Sequence, residues 1–97
     1  DSPEPTNEEV EFSKRYLSNL ELLFPHVVSG VEKGWSEWFH EDLPADWESQ
    51  FVVDGFSVPA HGNINNRWGV TLYCKKAGHY FSLIVENGIS TLESIDG

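Results

Sequence analysis

The sequence has a single cysteine, few basic residues and no long apolar run. Cys74 alone allows neither an internal disulfide nor a thiolate metal cluster. No apolar segment approaches the roughly 18–20 residues that a membrane-spanning helix needs. Only 6 Lys and Arg stand against 16 Asp and Glu, so the formal net charge is −10. Phosphate-backbone binding needs clustered basic residues. These absences disfavour both a membrane protein and a nucleic-acid-binding protein.

Methionine is also absent, and the chain begins with Asp-Ser-Pro-Glu-Pro. This start indicates a processed chain, a tag-cleaved product or a domain excised from a larger protein. We expect residues 1–5 to be a flexible acidic leader, because two prolines in five residues resist regular structure. Residues 6–97 are then enough for one domain. One free cysteine is typical of a reducing compartment, which favours a cytoplasmic location over a processed secreted chain.

Two helical patterns occupy the first part of the chain. Thr6 and Glu9 have the spacing of a capping box. Apolar residues then recur every three or four positions, which predicts an amphipathic helix over 7–24 that Pro25 ends. The same period predicts a second helix from about 25 to 40. A turn follows, with one short helical turn at its end.

The second predicted helix contains two glycines four residues apart, Gly30 and Gly34. Each costs the helix up to about 1 kcal/mol relative to alanine. The charged surroundings exclude a membrane helix pair, which uses the same spacing. We therefore expect the small residues to let this helix lie close to a neighbouring element.

From residue 50 the apolar period changes to two, which predicts antiparallel strands. Asp54-Gly55 is a dipeptide preferred in hairpin turns, so we expect a hairpin between residues 50–53 and 56–59. After a polar loop over 60–66, a three-stranded meander is predicted. Its strands are expected at 67–76, 79–86 and 89–95, joined by tight turns at Ala77-Gly78 and Asn87-Gly88. The predicted fold is α+β, with two N-terminal helices packed on an antiparallel sheet of about five strands.

The predicted strand register gives the sheet one apolar face. It pairs Cys74 with Phe81, and it places both Leu72 and Leu92 opposite Leu83. Cys74 is then a small buried core residue. The other face is mixed rather than polar, and it carries Thr71, Tyr73, Tyr80, Ile84 and Ile95. An uncovered face of this kind predicts a homodimer through the sheet as an alternative to a monomer.

The negative charge lies entirely in the helical half. Residues 1–54 hold 13 acidic and 3 basic side chains, whereas residues 55–97 hold 3 of each. Within the acidic half, residues 35–48 contain three tryptophans and five carboxylates. In one interpretation the tryptophans fill the core and the carboxylates are a solvated rim. In the other, the segment is a docking surface for a basic protein, with aromatic anchors and acidic steering groups.

The leading hypothesis is a small acidic protein-binding module. A protein of the inhibitor or immunity type would use such a surface to neutralise a basic enzyme or toxin. The candidate partner-binding residues are Glu32, Trp35, Glu37, Trp38, Glu41, Asp42, Asp46, Trp47 and Glu48. Three alternatives stay open: an accessory interaction domain excised from a larger protein, a nucleic-acid mimic, and a small enzyme.

Catalytic and metal-binding motifs are missing. The four histidines have no metal-site spacing, and no nucleophile elbow, phosphate loop or dinucleotide fingerprint occurs. We therefore predict no cofactor, no metal site and no catalytic residue. The nearest candidate for acid-base chemistry is His61 of the polar loop, with Arg67 just after it. Together with Asn63 these residues form a possible loop site. The same residues also suit an ordinary strand connection.

Overall fold

The structure, a computed structural model, describes residues 4–96. Residues 1–3 of the expected leader, and residue 97, lie outside the described residues. The α-helices are α1 (Asn7–Ser18) and α2 (Val28–Phe39), the strands are β1 (Phe51–Phe56), β2 (Trp68–Cys74), β3 (His79–Glu86) and β4 (Ile89–Asp96), and 3-10 helices span Leu20–His26, Trp47–Gln50 and Ala60–Gly62. The strands form one antiparallel sheet in the order β1-β2-β3-β4. The predicted α+β fold is confirmed, with four strands over residues 4–96 instead of about five.

Helix α1 begins with the predicted capping box. The Glu9 amide donates to Thr6 Oγ1 at 3.1 Å, and the Thr6 amide donates to Glu9 Oε1 at 2.8 Å. The prediction of one helix over 7–24 is wrong, because α1 ends at Ser18. Asn19 is extended there, and its side-chain oxygen accepts a bond from the Glu21 amide at 3.2 Å. Asparagine side chains compete with the helix in this way, so the chain restarts as a 3-10 helix.

Helix α2 packs closely on the sheet through its two glycines. A Cβ on Gly34 would lie 2.8 Å from Cε2 of Phe81, and one on Gly30 would collide with Leu83. The predicted close approach is confirmed. The helix starts at Val28, three residues later than predicted, because the preceding residues continue the 3-10 helix.

The predicted hairpin at Asp54-Gly55 is wrong. Strand β1 continues through both residues and pairs along its length with β2. The register passes from Val53 opposite Leu72 to Gly55 opposite Thr71, so Asp54 is the extra residue of a β-bulge. Neither Asp54 nor Gly55 has the positive φ that a type I′ turn requires. Pairing with a long neighbouring strand has overridden the local turn preference.

The β2–β3 register differs from the prediction by two residues. Leu72 lies opposite Phe81 and Cys74 lies opposite His79. The connection is a four-residue turn rather than a two-residue one, and it is closed by a bond from the Gly78 amide to the Cys74 carbonyl at 2.8 Å. Because the shift is even, each side chain keeps its predicted face. Cys74 is buried, as predicted.

Strand β4 contains a second bulge, which the sequence did not reveal. The predicted pair Leu83–Leu92 is confirmed, but Ser82 lies opposite Ser94, so Glu93 is the extra residue. Because the bulge adds one residue, side chains after Glu93 point to the opposite side of the sheet from the one that simple alternation predicts. Ile95 therefore packs with the core, and its predicted place on the outer face is wrong.

The core lies between the helices and one face of the sheet. Its buried members include aromatic residues of α1 and β2, namely Phe12, Tyr16 and Trp68, and aliphatic residues of all the central strands. The outer face is mixed: the rings of Tyr73 and Tyr80 pack at a tilt with centroids 5.0 Å apart, and Val52 and Ile89 are exposed. A homodimer through this face stays a prediction. Within residues 4–96, no helix is long and apolar enough to cross a membrane.

Candidate functional site

Two of the three tryptophans in the acidic segment belong to the core. Trp35 is only 2% exposed, and its ring lies 4.3 Å from Phe39 and 6.1 Å from Phe51. It faces the sheet from α2 and offers no surface to a partner, so it does not belong with the candidate docking residues. Trp47 is half-buried against Phe24 and Phe51, with centroids 5.3 and 5.9 Å away. For Trp35 and Trp47, the interpretation that the tryptophans fill the core is therefore the right one.

Trp38 is the exposed member of the three. It lies near the end of α2 with 42% of its surface accessible. Its ring meets His79 of β3 edge-on at 4.6 Å between centroids. That contact holds the indole in place while leaving much of it open to solvent. A large aromatic side chain fixed in this way is a suitable anchor for a protein partner.

All six candidate carboxylates are exposed. They lie on α2 and the segment after it: Glu32, Glu37, Glu41, Asp42, Asp46 and Glu48. In the described part of the chain, one ion pair forms, between Glu41 and Lys76 at 2.9 Å. Such half-exposed pairs contribute about 0–1 kcal/mol. Lys76 also lies 4.6 Å from the centroid of the Phe39 ring. The surface around α2 therefore keeps a strong excess of negative charge.

Helix α2 separates two grooves. The first, of about 730 Å³, lies between α2 and residues 42–47, and Glu32, Asp42 and Trp47 line it. The second, of about 420 Å³, lies between α2 and β4, and its wall includes Glu37 and Trp38. Lys33 touches both grooves from the ridge of the helix. Five of the nine candidate residues thus line one of these two grooves, whereas Trp35, Glu41, Asp46 and Glu48 line neither.

The second groove includes residues that sequence reasoning missed. Leu92, Glu93, Ser94 and Ile95 of β4 form its other wall. They lie more than fifty positions after Trp38 in the chain, so no local pattern joins them. The exposed Glu93 adds a carboxylate from the half of the sequence that has no net charge.

The loop candidates do not form one site. His61 is exposed in a left-handed conformation, with φ 60°, and its amide donates to Glu9 Oε2 at 2.8 Å. Asn63 lines a groove of about 790 Å³ beside α1, and its side-chain oxygen accepts from the Asn65 amide at 3.0 Å. Arg67 instead lines a groove of about 410 Å³ over the outer sheet face. The three side chains therefore have different surroundings.

Glu9 ties this loop to α1. One carboxylate oxygen serves the capping box and the other accepts the His61 amide. Hydrogen bonds from the backbone amides of Thr6 and then His61 hold the pKa of Glu9 below its ordinary value of 4.5. The capping box was visible in the sequence, but the bond to His61 joins residues 52 positions apart. Glu9 thus has a structural role in anchoring the loop.

His26 lies beside the aromatic core. Its Nε2 is 3.3 Å from the Tyr16 hydroxyl, and its ring meets those of Tyr16 and Trp68 edge-on. Burial lowers the pKa of His26 below 6.5, and the charge of Arg15 adds to the effect. Across residues 4–96, no group of three or more His, Cys, Asp or Glu side chains is placed to hold a metal ion.

Comparison of the chain with protein-family models, with curated proteins and with solved structures found no match. The candidate site is therefore defined by its own geometry. It is an acidic surface around α2 with Trp38 as its exposed aromatic residue and a groove on each side of the helix.

Proposed function

We propose that this protein is a small acidic binding module that docks on a basic surface of another protein, in the manner of an inhibitor or immunity protein acting on a basic enzyme or toxin. The observation that carries the proposal is the combination of six exposed carboxylates with an exposed, positioned Trp38 on one helix and the segment after it. Neither feature would be sufficient alone.

The charge supports a role in partner selection and encounter. A net charge of −10 concentrated in one half of a small chain attracts cationic proteins over a Debye length, about 10 Å at 0.1 M salt. Such steering raises association rates at low ionic strength and disfavours acidic partners. It contributes less to how long a complex lasts, which depends on contacts formed after encounter.

Trp38 supplies a contact that forms after encounter and slows dissociation of the complex. Alanine scanning of interfaces finds tryptophan among the residues whose loss costs most, often about 2 kcal/mol or more. Contact with His79 already restricts the indole, so docking loses less conformational entropy than for a freely moving side chain. The grooves on either side of α2 give Lys and Arg side chains of a partner concave places next to carboxylates.

Charge reversal on the site tests the proposal. In the site variant, Glu37, Asp42 and Glu48 are each replaced by Lys, and Glu41 is kept because it pairs with Lys76. In the control, Glu11, Asp54 and Glu86, which are exposed elsewhere, are replaced by Lys to give the same change in net charge. A partner captured from the source lysate and identified by mass spectrometry is then purified for association kinetics at low and high salt.

The site variant should associate at least about tenfold more slowly at low salt, and the control should be affected much less. Trp38→Ala should instead mainly raise the dissociation rate. Equal effects of the site and control variants on association would contradict a localised acidic docking surface. A captured partner with an acidic binding face would contradict the proposed partner class.

A further inference from the structure

Strand β4 has an open edge. It is the last strand in the order β1-β2-β3-β4 and pairs with β3 on one side. Along its other side, no strand among residues 4–96 is paired with it. Every second residue of such an antiparallel strand directs its backbone N–H and C=O groups away from its neighbour. An eight-residue strand therefore presents a row of donors and acceptors that an extended chain could use.

The groove between α2 and β4 runs beside this edge. Glu37, Trp38 and Lys33 line it from the helix, and Leu92 to Ile95 line it from the strand. In a strand added to β4, alternate side chains would point toward the helical side of the sheet. Those side chains would meet the groove of about 420 Å³ and the exposed indole of Trp38. Main-chain bonds and side-chain contacts would thus be made together.

The charges at this edge favour a basic segment over a second copy of the same chain. Glu93 is the exposed extra residue of the β4 bulge and lines the groove together with Glu37, and Asp96 is exposed at the end of the strand. Edge carboxylates disfavour pairing between identical strands, because like charges approach each other. Lys33 is the one opposing charge in the groove lining. A strand with Lys or Arg side chains would complement this edge.

We propose that β4 takes up an extended basic segment of the partner as an additional strand, with its apolar side chains on the helical side against Trp38 and its basic side chains on the outer side near Glu93. The proposal rests on the proposed function for the sign of the partner's charge, and it adds the mode of binding. Recognition by strand addition obtains affinity from the main chain and specificity from alternate side chains. The edge carboxylates would then act as the element that rejects acidic strands.

The probe is a capped synthetic peptide of four Lys-Val repeats, which matches the length of β4. A capped peptide of four Lys-Pro repeats has the same charge, but proline removes donors and fixes φ, so it cannot form a regular ladder. Both are titrated against the full chain at low salt by calorimetry. Amide hydrogen exchange then shows which backbone groups become protected.

Strand addition predicts slower exchange for alternate amides of β4 and at least about tenfold weaker binding of the Lys-Pro peptide. Glu93→Lys should weaken binding of the Lys-Val peptide, and Lys33→Glu should strengthen it, each by several-fold at low salt. Because both residues are exposed, these changes should leave the fold intact.

Two results would overturn the strand-addition proposal while leaving the docking function in place. One is equal affinity for the two peptides, which would show that charge alone is recognised. The other is binding of the Lys-Val peptide with unchanged exchange in β4. Failure of the Lys-Val peptide to bind at low salt would also overturn it. The docking function is tested separately, by the charge-reversal experiment with the natural partner and by the charge of that partner's binding face.

Discussion

The Ser90 hydroxyl of β4 accepts a hydrogen bond from the Gly30 amide of α2, with 2.8 Å between Oγ and N. Gly30 lies in the first turn of the helix, where amides have no partner within the helix. The residue at the N-cap, Val27, offers no side-chain bond. Ser90 is 4% exposed, so water cannot readily replace it. A strand residue therefore caps the helix and joins it to the edge of the sheet.

Ser90→Ala should destabilise the fold by about 1–2 kcal/mol, because it removes a helix cap and leaves a buried amide unsatisfied. Urea unfolding followed by tryptophan fluorescence measures the change. Ser29→Ala is the matched control, since Ser29 is exposed in the same turn of α2. It should have little effect. Equal stabilities of the Ser90→Ala variant and the original chain would contradict the capping role.

Gly34→Ala should destabilise the protein although alanine favours helices. The added Cβ would lie 2.8 Å from the Phe81 ring, so α2 and the sheet must move apart. Overpacking of this kind costs about 1–3 kcal/mol, against a gain in helix propensity of about 1 kcal/mol. Gly55→Ala is the control: nothing lies within 4 Å of its Cβ position, and it should be neutral or slightly stabilising. The two free energies of unfolding are compared by urea denaturation.

Glu9 should make the fold sensitive to acid. Its pKa is below 4.5 in the folded protein, so the unfolded chain takes up a proton first as the pH falls. The contribution of Glu9 to stability is complete above pH 4.5 and is lost as the pH falls through its folded pKa. The difference in unfolding free energy between the original chain and Glu9→Gln should therefore close on acidification.

Urea unfolding between about pH 6 and pH 3 measures this closing difference. Glu11→Gln is the control, since Glu11 is exposed on the same helix and has no hydrogen-bond partner within residues 4–96. Amide exchange at His61 should also become faster in the Glu9→Gln variant, because that amide loses a charged acceptor. A difference that stays constant across this pH range would contradict the assignment.

Trp38 should account for most of the fluorescence that acrylamide can quench. It is exposed, whereas Trp35 and Trp68 are each 2% exposed. Trp38→Phe should therefore lower the quenchable fraction, whereas Trp68→Phe removes a buried emitter and should not lower it. If Trp38→Phe has no effect on quenching, the indole is covered in solution and the docking surface loses its anchor.

Local sequence features predicted the parts of the fold that depend on neighbouring residues. Contacts between residues a few positions apart explain the capping box at Thr6 and the tight turn at Asn87-Gly88. The close approach at Gly30 follows from the small size of glycine. Asp54-Gly55 is equally strong as a local signal, yet it forms a bulge. A complete ladder between β1 and β2 provides more hydrogen bonds and more apolar burial than the isolated hairpin would.

The sequence predicted which residue types make up the candidate site, but not which of its tryptophans is exposed or which strand lies beside it. The sequence indicated an acidic, tryptophan-rich segment, and exposure of all six carboxylates follows from their charge. It could not tell Trp35 from Trp38, which differ by less than one helical turn. Which of them is buried depends on how far α2 extends over the sheet. The groove wall from β4 was also invisible, because its residues are distant in the chain.

The sequence by itself determined that helices precede strands, that the class is α+β and that charge is concentrated in the helical half, because periodicity, caps and composition act over a few residues. Tertiary structure decided the two bulges, the number of strands, the exposed tryptophan and the cap that Ser90 provides for α2. Each of these depends on pairs of residues far apart in the chain. Their contacts form only when the helices and the sheet are packed together.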